Sequence, residues 1–298
     1  MIWKLTQRNI LVYTRNRMSV FFSFLSVIII IGLYALFLGK VQVDNVEQMM
    51  QQYGLVTDSA RFLVDSWIMS GLLAINAVTL SLGALGTMVF DIEDKRFQDF
   101  IVAPASRTTV VLSYLIATWV ITLVFSLIAF VLSELYILSG GGQILPPDKL
   151  LEALGVMVLT VITSSSTMFL LASFLKSGSA FGTLSTLLGT LIGFITGVYV
   201  PLGVLPSFVQ KVVNVVPFSH SAALLRQIFC EQPLKEVFAS VPAQGQAQAI
   251  AEYSRTFGVQ LYWGDSVITV PTMLIVLAGT AVVFLILSAL KLRRYKQG

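Results

Sequence analysis

The sequence predicts an all-α integral membrane protein with six transmembrane helices, and three observations carry that prediction. Of its 298 residues, 56% are hydrophobic and 11% charged, against about 25% charged in an ordinary soluble domain. Six apolar stretches reach the roughly 20 residues that a membrane helix needs. Basic residues are concentrated in the short segments on one side of those stretches, which fixes an orientation. Mean hydropathy is +0.85. So few charges could not cover a soluble fold, which excludes a soluble enzyme or a disordered chain. One histidine (His220) and one cysteine (Cys230) exclude a multi-ligand zinc site and a disulfide framework.

The chain opens on an amphipathic segment, residues 1–17. Lys4, Arg8 and Arg15 fall within about 40° of one another on a helical wheel, and Ile2, Trp3, Leu5, Ile10, Val12 and Tyr13 take the other side. This predicts a helix lying flat on an anionic leaflet. A plain basic anchor is the alternative, and the Trp and Tyr favour the flat helix. The apolar run that follows is too long for a signal-peptide core, and no small-residue cleavage site follows it.

The transmembrane domain covers residues 18–292, with spans at about Met18–Gly39, Ser66–Phe90, Val110–Leu138, Leu150–Leu175, Ser179–Val200 and Val267–Leu292, and a tail at 293–298. Twelve of the 19 basic residues lie before the first span, between the second and third, at Lys176, and in the last-span tail. Both termini are therefore expected in the cytoplasm. The net charge of +4 reflects that asymmetry and gives no argument for nucleic acid. The first outer loop, Val41–Asp65, is polar and expected to be helical in part, around Val46–Tyr53.

The inner connection between spans two and three reads DIEDKRFQDFIVAPASR and packs six charges into Asp91–Asp99. Phe97, Phe100 and Ile101 share one helical face, and Asp91 and Lys95 form an i,i+4 pair. Pro104 ends this short helix, 91–104, and Ser106 can cap the next. Exposed aromatics among charges suit a docking surface for a soluble partner. A solvated helix with its Phe residues in the lipid boundary fits equally.

In the membrane, Ser185, Gly189, Gly193 and Gly197 recur every fourth residue, which allows close helix approach within or between subunits. The hydroxyl run of the fourth span includes Thr163, Ser164 and Thr167 and either back-bonds to the helix or lines a path. Glu134 is an acid well inside a span, near its outer end, where it is a path residue or reaches the interface. The stretch 201–217 is too short to cross and is broken by Pro201, Pro206 and Pro217. It reads as a re-entrant or interfacial hairpin, an ordinary outer loop being the alternative. The outer segment 218–266 is soluble in composition.

No phosphate-binding loop G-x-x-x-x-G-K-[ST] occurs. Leu138–Gln143 reads LSGGGQ, near the LSGGQ signature of cassette ATPases, but it ends a span on the outer side and fits a flexible turn. No G-x-S-x-G elbow occurs. Uphill transport would need energy from a partner.

The order of parts, with the stretches FQDFIVAPASR (Phe97–Arg107) and GVYVPLGVLPSFVQKVVNVVPFSHSAALLRQI (Gly197–Ile228), resembles the membrane subunit of type-2 ATP-binding-cassette (ABC) transporters, the exporter-type permeases. The second stretch is similar to the family pattern G-x-x-x-P, L-P, N-x-x-P-[FL] and a basic residue, matched here by Pro201, Leu205, Pro206, Asn214, Pro217 and Arg226. The region after Arg226 looks most like bacterial drug or antibiotic exporter permeases. The resemblance implies a bacterial plasma-membrane half-transporter, paired with a second permease subunit (a homodimer favoured) and two ABC ATPase subunits. The ATPases would bind ATP and Mg, leaving this chain without catalytic residues or a cofactor. Residues 1–17 would be an elbow helix. Asp91, Glu93, Asp94, Lys95, Phe97, Asp99 and Phe100 would couple the spans to the ATPase, with Lys176 a second contact. The expected cargo is amphipathic, drug-like or lipid-like. A polysaccharide or glycolipid exporter, an ATP-independent transporter and a ligand-binding scaffold are the competing readings.

Overall fold

The computed structural model describes residues 1–52, 59–96 and 106–294. Helix α1 (Ile2–Arg15) stops at Asn16, whose side chain accepts a hydrogen bond from Ser19 N at 3.1 Å and so caps α2 (Arg17–Leu33). A π-turn at Tyr34–Leu38 leads directly into α3 (Gly39–Gln52). The helix therefore does not stop near Gly39 as the hydropathy suggests. Val46 and Met50, one turn apart, are buried and pack the polar α3 onto its neighbour. Tyr34 Oη donates to Val198 O at 2.5 Å, which anchors the π-turn.

Helix α4 (Ala60–Glu93) is the axis of the bundle and is buried around nearly its whole circumference. Its 34 residues span about 50 Å. Around it stand α5 (Arg107–Ser139), α6 (Pro147–Ala172), α7 (Gly178–Ile195) and, last in sequence, α12 (Val270–Arg294), which packs on α6. Ser106 caps α5 by accepting from Thr109 N at 3.1 Å, as its sequence position predicts. Among the described residues, six helices are long and apolar enough to cross a membrane.

Between α7 and α12 lie a 3₁₀ turn (Leu202–Val204), α8 (Ser207–Val215), α9 (Pro217–Phe229), α10 (Glu231–Val237), α11 (Ala243–Thr256) and an antiparallel hairpin of β1 (Tyr262–Trp263) with β2 (Ser266–Val267). The prolines start helices here: Pro206 precedes α8, and Pro217 is the first residue of α9, where a missing N–H costs nothing. Composition places 218–266 outside the bundle, yet α9 is buried along its length against α4, α6 and α12. The reason is local. Phe218, Ala222, Leu225 and Phe229 supply apolar packing, while Ser219, Ser221 and Ala223 are small enough to admit close neighbours. Exposed apolar side chains belong instead to α8, at Phe208, Val212 and Val215.

Candidate functional site

Contacts between helix ends define one end of the bundle, where α1 begins and α12 finishes. Asp91, in the last turn of α4, is only 3% exposed. Arg8 of α1 holds it with both terminal nitrogens, Nη2 donating to Oδ1 at 3.0 Å and Nη1 to Oδ2. Tyr114 Oη of α5 donates to the same Oδ2 at 2.6 Å. One residue along α1, Asn9 Nδ2 donates to Ser113 Oγ at 3.1 Å. Charge-assisted bidentate pairing of this kind is both strong and orienting, and the Asp91 bond lifts the Arg8 guanidinium above its ordinary range. The face of α1 turned inward is Thr6, Asn9 and Tyr13. Exposed Trp3, Leu11 and Val12 form its outer side.

Three expectations are corrected by this arrangement. Asp91 does not pair with Lys95, because α4 ends at Glu93 and Lys95 turns away with φ 62°. Nor does Asp91 face a partner, since it is enclosed by α1 and α5. Arg8 likewise reaches inward rather than standing with Lys4 and Arg15.

Glu93, still in α4, accepts from Gly178 N at 3.0 Å. It thereby caps α7 together with Ser177, whose Oγ accepts from Ala180 N at 3.3 Å. A helix N-terminus favours such a carboxylate. Phe90 meets Phe181 edge-on at 5.9 Å. A Cβ on Gly178 would stand 2.6 Å from the Phe90 ring, so only glycine permits this approach. The neighbouring turn is fixed from the other side. Lys291 Nζ donates to Ser173 O at 2.6 Å and lies 3.1 Å above the Phe174 ring. Lys176 projects from that turn, exposed. Asp94 pairs with Arg96 at 3.3 Å, both exposed. Phe97, Asp99 and Phe100 lie outside the described residues.

Beside this junction is a cavity of about 610 Å³ between the α1–α2 corner, α4 and α7. Val12, Tyr13, Leu82, Phe90, Phe181 and Leu188 give it an apolar wall, and Asn16, Thr79 and Ser185 add neutral polar groups. Its two charged lining residues, Asp91 and Arg96, are each already paired within the chain. Such a site suits an amphipathic molecule better than an ion.

The remaining singled-out residues divide. Thr163, Ser166 and Thr167 donate to carbonyls one turn back, and Thr163 also bonds Leu277 O of α12 at 3.1 Å. Ser164 is buried without a hydrogen-bond partner. None of the hydroxyl run lines the cavity. Glu134 accepts from Leu145 N at 3.0 Å and pins the α5–α6 connection. The small-residue stripe of α7 serves no single interface. Gly189 borders the cavity, Gly193 lies under the Tyr199 ring, and Gly197 takes the left-handed conformation at φ 70°.

In the stretch 201–217, Pro201 precedes the 3₁₀ turn and Leu205 O accepts from Gln210 Nε2 at 2.8 Å. Asn214 Nδ2 donates to Tyr262 O at 2.6 Å, and Asn214 O meets His220 Nε2 at 2.8 Å. Arg226 is fully buried, its guanidinium carbon 4.9 Å from the Trp67 ring centre. Sequence reasoning missed the Arg8–Asp91–Tyr114 cluster and the capping role of Glu93. The one available signal was a carboxylate, Asp91, directly after 25 residues of apolar span, where burial demands a cation.

Residues 1–230 match the family model described as ABC-2 type transporter. The chain belongs to that family. No curated protein matches it. As an ABC-2 type membrane protein it is a multi-pass permease component of an ABC-type transporter, in a family that generally works with ABC ATPase subunits. The matched region holds the α1–α4 junction, the cavity and α9, and ends just before α10.

Proposed function

We propose that this permease moves an amphipathic, drug-like or lipid-like molecule across the bacterial plasma membrane, driven by ATP and Mg bound on two separate ATPase subunits. The observation that carries this reading is the position of the cavity. Its walls, α1, α4 and α7, are tied together at Asp91 and Glu93, immediately before residues 97–105. In this reading both termini are cytoplasmic and two permease copies pair. ATPase closure pushes on 97–105 and, through a second contact, on the Lys176 turn. The two α4 carboxylates pass that displacement to α1 and α7 at once, which changes the width of the cavity. Its neutral, largely apolar lining supports an amphipathic cargo.

Reconstitution with the ATPase subunit tests the reading. ATP should drive movement of a fluorescent amphiphile across liposome membranes, and Phe97→Ala/Phe100→Ala should release the ATPase on purification while the permease stays folded. Transport by the chain alone, without nucleotide, would contradict it.

A further inference from the structure

At the end of the bundle opposite the Arg8–Asp91 junction, α9 carries a charge that no described residue balances. Arg226 has no exposed surface, and none of its three side-chain nitrogens has a hydrogen-bond partner. Burial lowers the guanidinium only to about 10, so it is positive at neutral pH. None of the described carboxylates pairs with Arg226: at this end Asp65 lies against Arg61, Glu134 accepts from Leu145 N, and Glu231 pairs with Lys149 and Lys235. Cys230, one turn along α9, is raised by burial to about 12 and stays a neutral thiol.

The surroundings are built for a cation and for something more. Trp67 offers its ring at 4.9 Å, a contact that attracts a guanidinium but satisfies none of its five N–H donors. The Tyr253 hydroxyl, fully buried and within electrostatic reach of Arg226, is likewise without a hydrogen-bond partner. Three glycines from separate segments, Gly71, Gly197 and Gly258, close around the guanidinium. A Cβ on any of them would come within 2.8–3.3 Å of its terminal nitrogens. Buried charges in proteins are paired or bound to an ion; here the guanidinium and the nearby Tyr253 hydroxyl both lack a partner, and the close approach of three glycine backbones favours a small ion over a phosphate ester or an organic acid.

We propose that Arg226 and Tyr253 form a binding site for a small monovalent anion of the halide class. The anion accepts from the Arg226 guanidinium and the Tyr253 hydroxyl. It neutralises α9 where that helix is wedged between α4, α6 and α12, so its occupancy holds this end of the bundle closed. This site is separate from the cavity and stands whether or not that cavity carries cargo.

Thermal unfolding of the full chain in lipid nanodiscs tests it, at constant ionic strength with sodium as the cation. Sodium chloride and sodium bromide should raise the midpoint of the wild-type protein over sodium gluconate, with a saturating concentration dependence. Arg226→Met, which removes the charge and keeps the bulk, should unfold at the same temperature in all three salts. Tyr253→Phe should fold and shift the chloride dependence to several-fold higher concentration, which decides the matter if Arg226→Met fails to fold. A wild-type midpoint equal in chloride and gluconate would overturn the proposal. So would a chloride response retained in Arg226→Met or unchanged in Tyr253→Phe.

Discussion

Arg8 and Asp91 stand 83 residues apart in sequence and meet in a two-pronged ion pair that joins the N-terminal helix to the last turn of the central span. The carboxylate is almost wholly buried while part of the guanidinium is solvated. Phe90, the residue before Asp91, meets Phe181 and makes the apolar half of the same joint. The pair therefore both fixes α1 and closes one corner of the cavity.

Removing the cation strands a buried carboxylate. Arg8→Ala should destabilise the permease by about 3 kcal/mol, and Arg8→Lys by less, since a lysine keeps the charge but loses the fork. Arg8→Ala/Asp91→Ala should cost less than the sum of the single changes. A double-mutant cycle in detergent unfolding measures this, and additive costs would show that the pair does not couple the helices.

Glu93 is exposed, and its contribution lies in capping α7. Glu93→Ala should cost about 1 kcal/mol of stability, yet it should lower ATP-driven transport more than that figure suggests, because α7 then moves independently of α4. Comparing transport with ATPase rate in the assembled complex checks this. A drop in transport at unchanged ATPase rate is expected.

Gly189 has open space where a side chain would stand and borders the cavity. Gly189→Leu should therefore fold and insert normally while reducing transport of a bulky amphiphile several-fold. If the glycine served close helix packing instead, the same substitution would lower the unfolding temperature, which a thermal melt reads directly.

His220 is the only histidine, so its titration can be isolated. Burial lowers its affinity for a proton in the folded state, partly offset by the bond to Asn214 O. The unfolded chain binds the proton more readily, so its stabilising effect is complete above the unfolded value of about 6.5 and is lost as pH falls below it. His220→Gln, which can keep a donor to Asn214 O, should flatten the stability profile between pH 7 and the depressed folded value. Melts across that range give the answer, and an unchanged profile would assign the slope to another group.

Much of the bundle was legible in the sequence because hydropathy and the length of a membrane helix are properties of contiguous residues. The Ser106 cap was legible for the same reason. What escaped depends on distant partners. The extension of the first membrane helix through Gln52 rests on Val46 and Met50 finding α4. Burial of α9 depends on α4, α6 and α12 surrounding a segment whose composition resembles a loop. The Asp91 carboxylate reads as one more charge of a polar connection because its cation lies 83 residues earlier. The hydroxyl run and Glu134 are ambiguous in sequence because their partners, Leu277 O for Thr163 and Leu145 N for Glu134, lie on other segments.

The central claim is that nucleotide on the partner ATPase is felt by the cavity through the end of α4. Spin labels at Leu11 of α1 and Leu187 of α7, both exposed, read the distance across the cavity in the assembled complex. Trapping ATP should shift that distance distribution in the wild-type complex and leave it unmoved in Phe97→Ala/Phe100→Ala or in the permease alone. A distribution that is identical with and without nucleotide, or one that shifts without any ATPase bound, would contradict the account.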